Sequence, residues 1–446
     1  MKRLQETTLL SWKDSGRRKP LIIRGARQVG KTWLVENVLA GEFENFVKID
    51  LEKRRDLHVY FSGTLEPETI LGYLELSAGR IIPGKTLVFF DEIQACPRAI
   101  MALRYFYEQM PELHVVAAGS LLEFAFGEIS IPVGRLQYLN LYPMTFYEYL
   151  RALGKAPMAA HVMKNQAGVA PHIQQMILAE LKNYFFVGGM PECVQAWYDT
   201  SSMLEAFKVQ SEILDSYRDD FSKYTPRVDT NCLDAVFLNL AQTVGEQIKY
   251  TRLNQGHTSP TNRKAFDLLV KARLVQKIPA ASPSGLPLGA TANQKKFKTA
   301  MLDIGLLQRL CQVPVEMELK QKDLLAMYRG KLAEQFVAQE LLALQDTSLY
   351  YWAREVKGSN AEVDFLIVCN GSIYPVEVKS GASGSLKSLH LMLKTFPDCP
   401  GGIVLYSGDY KELPDQKLTF LPLYNVSSLC GLNPISERIS GSLPAF

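Results

Sequence analysis

Leu21-Ile22-Ile23-Arg24-Gly25-Ala26-Arg27-Gln28-Val29-Gly30-Lys31-Thr32-Trp33-Leu34-Val35 passes from a short apolar run, through two glycines, into a segment of helical pattern. Gly25 to Thr32 satisfies the spacing G-x-x-x-x-G-K-[ST], with a strand before it (Leu21 to Ile23) and a helix through Leu34, Val35 and Val38 after it. In that setting the glycines let the main chain curl so that its N–H groups and the helix N-terminus face an anion, which the helix dipole favours. The expected phosphate contacts are Gly25, Gln28, Val29, Gly30, Lys31 and Thr32. Lys31 is a point charge for β- and γ-phosphate oxygens, and the Thr32 hydroxyl is a ligand for Mg²⁺.

Working outward, residues 20–150 alternate apolar β-rich runs (Phe46 to Leu51, Thr86 to Phe90, Leu113 to Ala118) with helical stretches, the pattern of a parallel α/β sheet. One run, Leu87-Val88-Phe89-Phe90-Asp91-Glu92, ends in two carboxylates. Parallel strands deliver their last residues to the edge where the phosphate loop lies, so Asp91 is expected to reach Mg²⁺ and Glu92 to polarise the attacking water. Ser120 ends the next strand; it either orients that water or caps the helix through Leu121 and Leu122. Arg135 is the candidate for offsetting charge in the transition state, the alternative being an ordinary surface arginine.

The 446 residues suffice for two to four domains, and 47% apolar with 21% charged residues excludes a disordered or coiled-coil chain. A formal charge of +3 is too small for the whole surface to attract a polyanion, so any nucleic-acid contact must be local. Residues 241–300 are such a region, with ten Lys and Arg against Glu246 and Asp267, a local charge of +8. Residues 231–300 present two helical patterns, a turn and then a Pro/Gly-rich hairpin-like stretch, the outline of a winged helix. Thr258-Ser259-Pro260-Thr261 opens its second helix, Asn262, Arg263 and Lys264 face a groove, and Lys295, Lys296 and Lys298 lie on the wing. Seven scattered cysteines without metal-ligand spacing, no long apolar run and no signal-like start point to a cytoplasmic protein without a membrane span.

The last third holds Glu362-Val363-Asp364-Phe365 and Pro375-Val376-Glu377-Val378-Lys379 on neighbouring predicted strands, behind a helix from Leu332 to Leu344. Alternation along a strand puts Glu377 and Lys379 on one face with Asp364 beside them. Two acids and a lysine provide oxygen ligands for a divalent ion, Asp364 and Glu377, and a cation, Lys379, for phosphodiester chemistry. Glu334 projects from a partly apolar helix face and needs a partner.

Taken together, Gly25 to Thr32, Phe89 to Gln94, Ala118 to Leu122, Gly134-Arg135, Leu141 to Phe146, Gly188-Gly189-Met190-Pro191-Glu192, Glu334, Glu362 to Phe365 and Glu377 to Lys379 resemble a prokaryotic family of AAA+-like P-loop ATPases with a C-terminal PD-(D/E)XK nuclease-like domain. The resemblance implies an α/β protein with an ATPase core at 1–150 and a helical lid or linker at 151–228. A winged-helix-like basic domain at 229–325 and a restriction-endonuclease-like α/β domain at 326–446 complete it. It implies ATP and Mg²⁺ as cofactors, with Mn²⁺ as an alternative ion at the nuclease-like site. Partners would be ATP and DNA, the latter through residues 249–298 and the C-terminal domain, and an oligomer is compatible. Glu92, Arg135, Ser120, Lys379 and Glu334 are the catalytic candidates. The leading function is an ATPase whose nucleotide state controls a DNA-directed nuclease-like domain. The alternative is an ATP-gated switch whose nuclease-like domain is catalytically silent and binds DNA or a protein. A protein remodeller would need an aromatic pore loop, and none stands out.

Overall fold

The computed structural model describes residues 1–126, 134–164, 169–222, 228–313, 330–345, 347–354, 360–379 and 385–431. The chain forms two compact units, Lys2–Tyr142 with Lys271–Arg273, and Pro143–Val270 with the described chain from Leu274 onward.

In the first unit, strands β1 (Leu21–Arg24), β2 (Asn45–Asp50), β3 (Thr86–Asp91), β4 (His114–Gly119) and β5 (Gln137–Asn140) pair in the order β2-β3-β4-β1-β5, all parallel. β3 and β4 are buried along their whole length, as central strands covered on both faces must be. Apolar side chains such as Ile49, Val88, Phe90, Leu103 and Val115 build one core against this sheet. The expected strands are present within a residue or two. β5 is the addition: Gln137-Tyr138-Leu139-Asn140 is half exposed at the sheet edge and carries too little apolar character to stand out in sequence.

The second unit gathers the helices Ala156–Val162, Pro171–Val187, Pro191–Thr200 and Met203–Phe221 in the stretch expected to be mostly helical, and also Phe146–Ala152, which falls almost wholly within the 1–150 stretch expected to be the ATPase core. Its sheet contains β6 (Val275–Ala280), β7 (Asn293–Met301), β8 (Tyr350–Ala353), β9 (Glu362–Cys369), β10 (Ser372–Val378), β11 (Gly402–Tyr406), β12 (Lys411–Leu413) and β13 (Leu418–Pro422), in the order β12-β13-β11-β10-β9-β8-β6-β7. Strand pairing therefore crosses the division expected at 325/326. The free edge of the β6–β7 hairpin would leave backbone groups unpaired, and β8 meets it: the Ala281 N–H donates to the Tyr351 carbonyl at 2.8 Å. Behind the sheet, the helix Lys331–Gln345 is buried on nearly every side. Two of its glutamines are tied to backbone of neighbouring elements. Gln335 exchanges two 2.8 Å hydrogen bonds with the Met301 backbone, and Gln339 accepts from the Ile304 N–H at 2.9 Å.

The Gly188-Gly189 pair has a structural reason. Asp303 caps the helix Ile304–Leu310 through the Leu306 N–H and accepts the Gly189 N–H at 2.6 Å, while the Met144 N–H donates to the Gly189 carbonyl at 2.6 Å. A Cβ at Gly189 would lie 2.1 Å from the Met144 carbonyl oxygen, a backbone atom that cannot swing aside. Gly189→Ala is expected to destabilise this unit by about 2–3 kcal/mol, read as a lower urea midpoint at unchanged slope.

Among the described residues no helix is long and apolar enough to cross a membrane. Cys96, Cys193, Cys232, Cys311 and Cys399 are free thiols, whereas Cys369 is disulfide-bonded, a pairing that the scattered spacing of the cysteines did not suggest.

Candidate nucleotide site and acidic centre

At the carboxyl edge of the first unit's sheet, the loop after β1 turns through positive φ at Gln28 (63°) and Gly30 (95°), on either side of Val29. Such changes of hand in a short loop are how successive N–H groups form an anion-binding concavity. Gly25 has no room for a side chain, since a Cβ there would sit 2.3 Å from the Leu141 carbonyl oxygen. Buried Arg3 braces the loop, donating to the Val29 carbonyl at 2.9 Å and to the Tyr142 carbonyl at 2.6 Å. Nothing in the local sequence around Arg3 flags that role.

Lys31 is only 6% exposed and donates to the carbonyls of Ala26 (2.7 Å) and Gly25 (3.1 Å). Burial pulls its pKa down to about 8, against the opposing pull of Glu92 and Asp91. Its present partners are neutral oxygens, so an anionic phosphate would be a better one. The Thr32 hydroxyl donates to Asp91 at 2.9 Å, bringing the two expected Mg²⁺ ligands into direct contact. Burial raises the Asp91 pKa although Thr32 and Lys48 oppose it; Lys48, not anticipated from sequence, lies 3.2 Å from the same carboxylate. A cradle too tight for a Cβ, a buried lysine and a hydroxyl–carboxylate pair together fit Mg²⁺-ATP.

Glu92 adopts a left-handed backbone (φ 47°), accepts from the Gln94 amide at 2.5 Å and lies 3.5 Å from the Ser120 hydroxyl. Ser120 thus faces Glu92, and the helix Leu122–Ala125 has no side-chain cap. A Cβ at Gly119 would meet the Gln94 amide oxygen at 2.2 Å, so a larger residue there would push aside the side chain that holds Glu92. Arg135 ion-pairs with Glu108 at 2.8 Å on an exposed surface.

In the second unit, the expected acidic residues do gather, around a cation placed elsewhere by sequence. Lys298, from β7, is 2% exposed, with its ammonium 2.5 Å from Glu362, 2.9 Å from Glu334 and 3.5 Å from Asp364. This corrects its assignment to a phosphate-facing wing: the inward face of β7 turns it into the protein. Burial disfavours the Lys298 charge, yet Glu334, Asp364 and Glu362 together hold its pKa well above the ordinary lysine value. Burial lifts Glu334 to about 8, with Lys298 pulling the other way. On β10, Glu377 pairs with Lys379 at 2.7 Å, and Asp364 accepts the Val378 N–H at 2.8 Å. Burial, then Asp364, raises Glu377 to about 7. Among the described residues no group of three or more His, Cys, Asp and Glu is disposed to hold a metal ion. Among Glu334, Glu362 and Asp364 the Lys298 ammonium already stands where a divalent ion shared by those three would lie, while Glu377 keeps one buried carboxylate oxygen without a hydrogen-bond partner.

In the expected winged helix, the Thr258 hydroxyl bonds Thr261 at the start of the helix Ser259–Lys271. Arg263, Lys264 and Lys295 are exposed. Asn262 is not groove-facing: it is buried, and its amide donates to the carbonyls of Tyr250 and Asn254, both at 2.8 Å.

Residues 17–150 match the sequence model of an AAA domain family. The first unit has a P-loop ATPase-like fold. Residues 178–317 and 329–426 match two families described only as domains of unknown function, DUF8612 and DUF4143. Among solved structures, the chain is similar to a Walker-type ATPase of Pyrococcus abyssi at 15% identity, covering 70% of this chain and 95% of that one with a TM-score of 0.45. It is also similar to the RuvB Holliday junction branch migration motor of Thermotoga maritima, at 16% identity over 61% and 88% of the two chains, with a TM-score of 0.29. No curated protein matches it in sequence.

Proposed function

We propose that the chain binds and hydrolyses ATP with Mg²⁺ and that its nucleotide state controls the second unit. The carrying observation is the contact of Thr32 with Asp91 beside a buried, carbonyl-bound Lys31. Thr32 and, through water, Asp91 would hold Mg²⁺, which supplies positive charge to the phosphate oxygens. Lys31 exchanges its carbonyl partners for β- and γ-phosphate oxygens. Glu92, held by Gln94 and Ser120, polarises the attacking water. Arg135 would offset transition-state charge after leaving Glu108, within its own subunit or on a neighbour.

For the second unit we infer a PD-(D/E)XK-like fold fed by a winged-helix-like segment whose exposed Arg263, Lys264 and Lys295 meet DNA phosphates. Of the two readings of this unit, cutting or binding without cutting, the second is favoured by the pairing of Glu334, Glu362 and Glu377 with lysines. The test is a panel of linear, single-stranded and branched DNA with Mg²⁺ or Mn²⁺, with and without ATP. The expected result is ATP-sensitive retention of DNA without cleavage. Cutting that disappears in Lys379→Ala would restore the nuclease.

A further inference from the structure

The second unit's carboxylates come from three elements: Glu334 from the helix Lys331–Gln345, Glu362 and Asp364 from β9, and Glu377 from β10. Lys298 enters from a fourth, β7, which is not a loose arm. Lys298 pairs with Ile278 across the hairpin, its neighbours Phe297 and Thr299 are buried, and the Phe297 carbonyl accepts the Ile248 N–H at 2.9 Å. The ammonium also lies 5.2 Å from the centre of the Tyr351 ring. Strand geometry therefore delivers the lysine to this spot.

Resting on the reading of this unit as nuclease-like, we propose that Lys298 is the resident cation of the acidic centre. Its ammonium takes the position among Glu334, Glu362 and Asp364 that a divalent ion would need, so seating Lys298 and binding such an ion exclude each other. Oxygen ligands stand about 2.0–2.6 Å from Mg²⁺ or Ca²⁺. The ammonium, at 2.5 Å from Glu362 and 2.9 Å from Glu334, fills that volume, and a second cation beside it would face direct repulsion. With Lys298 removed, three carboxylates remain with no cation among them, a negative charge that a divalent ion would largely offset. Lys379 cannot replace it, being engaged by Glu377 at 2.7 Å. The lysine also ties β7 to the helix and to β9, so the centre acts as an ionic clasp between the hairpin and the rest of the sheet.

The test is Mn²⁺ titration of the nucleotide-free full chain, followed by the electron paramagnetic resonance of free Mn²⁺. For the wild type, any Mn²⁺ bound is expected to be unaffected by Asp364→Asn. Lys298→Met is expected to gain one further Mn²⁺ site, lost again in the double variant with Asp364→Asn, and a melting temperature that Mn²⁺ raises. A wild-type site abolished by Asp364→Asn would overturn the proposal, as would a folded Lys298→Met that gains nothing. Should Lys298→Met not fold, Lys298→Met with Glu362→Gln, one buried charge fewer, carries the same comparison. The outcomes separate the two claims: a wild-type site at Asp364 would sink the resident lysine while supporting a metal-dependent nuclease. A gained site that never confers DNA cleavage would leave the lysine in place and count against the nuclease-like reading.

Discussion

Lys31→Ala is expected to abolish ATP binding and hydrolysis together, whereas Glu92→Gln should keep binding and lower turnover about 10²- to 10⁴-fold. The two differ because they act at different points of the same edge. Lys31 lies within 3.1 Å of the phosphate-loop carbonyls and is buried, so its loss removes the charge that must meet the β- and γ-oxygens and leaves those carbonyls unpaired. The Glu92 carboxylate is held by Gln94 and Ser120, and glutamine preserves its shape while removing its ability to attract a proton. Titration with a fluorescent nucleotide reads binding, and single-turnover hydrolysis reads chemistry. Loss of nucleotide binding in Glu92→Gln would remove Glu92 from the water-polarising role. Intact hydrolysis in Lys31→Ala would remove ATP chemistry from this loop altogether.

The nucleotide edge was legible because its signals are local. Two glycines at fixed spacing, a lysine and a threonine follow a strand, and an apolar run ends in two acids. Parallel pairing then leaves little choice about where they meet, as the β3–β4–β1 order bears out. What escaped is what has no local signature. Arg3 reaches the phosphate loop across 26 residues of chain, and Lys48 reaches Asp91 from a neighbouring strand that reads as an ordinary alternating one.

The acidic centre shows the same limit more sharply. Glu334 was expected to need a partner because it interrupts an apolar helix face, and it has one. That the partner is Lys298 depends on which face of β7 turns inward and on β6 pairing with β8, neither of which the composition of the hairpin reveals. Three lysines close together in a basic segment read alike in one dimension. In three, Lys295 is exposed and Lys298 is enclosed. Asn262 gives the same lesson, a polar residue near a helix start whose amide binds the backbone of the preceding helical turn.

The buried helix Lys331–Gln345 sets the largest pH effect on stability. Glu340, fully buried on it, accepts the Phe146 N–H at 2.8 Å and the Ser427 hydroxyl at 3.1 Å. Burial nevertheless raises its pKa to about 8, the two hydrogen bonds only moderating the shift. The folded state therefore keeps a proton that the unfolded chain, titrating near 4.5, has already released. Between those two values the unfolded state binds fewer protons, so stability falls as pH rises through the window and levels off above it. A shift of this size corresponds to a loss on the order of 5 kcal/mol. Glu334 and Glu377 shift in the same direction, so the wild-type slope alone cannot be assigned to one residue. Glu340→Gln isolates it: glutamine keeps an acceptor for the Phe146 N–H, offers its amide to the Ser427 oxygen and has no proton to lose. Urea unfolding should find the variant close to wild type at pH 5 and more stable by several kcal/mol at pH 9. A difference between the two proteins that stays constant from pH 5 to pH 9 would mean that Glu340 is ionised in the folded chain, with its two hydrogen bonds outweighing the cost of burying the charge.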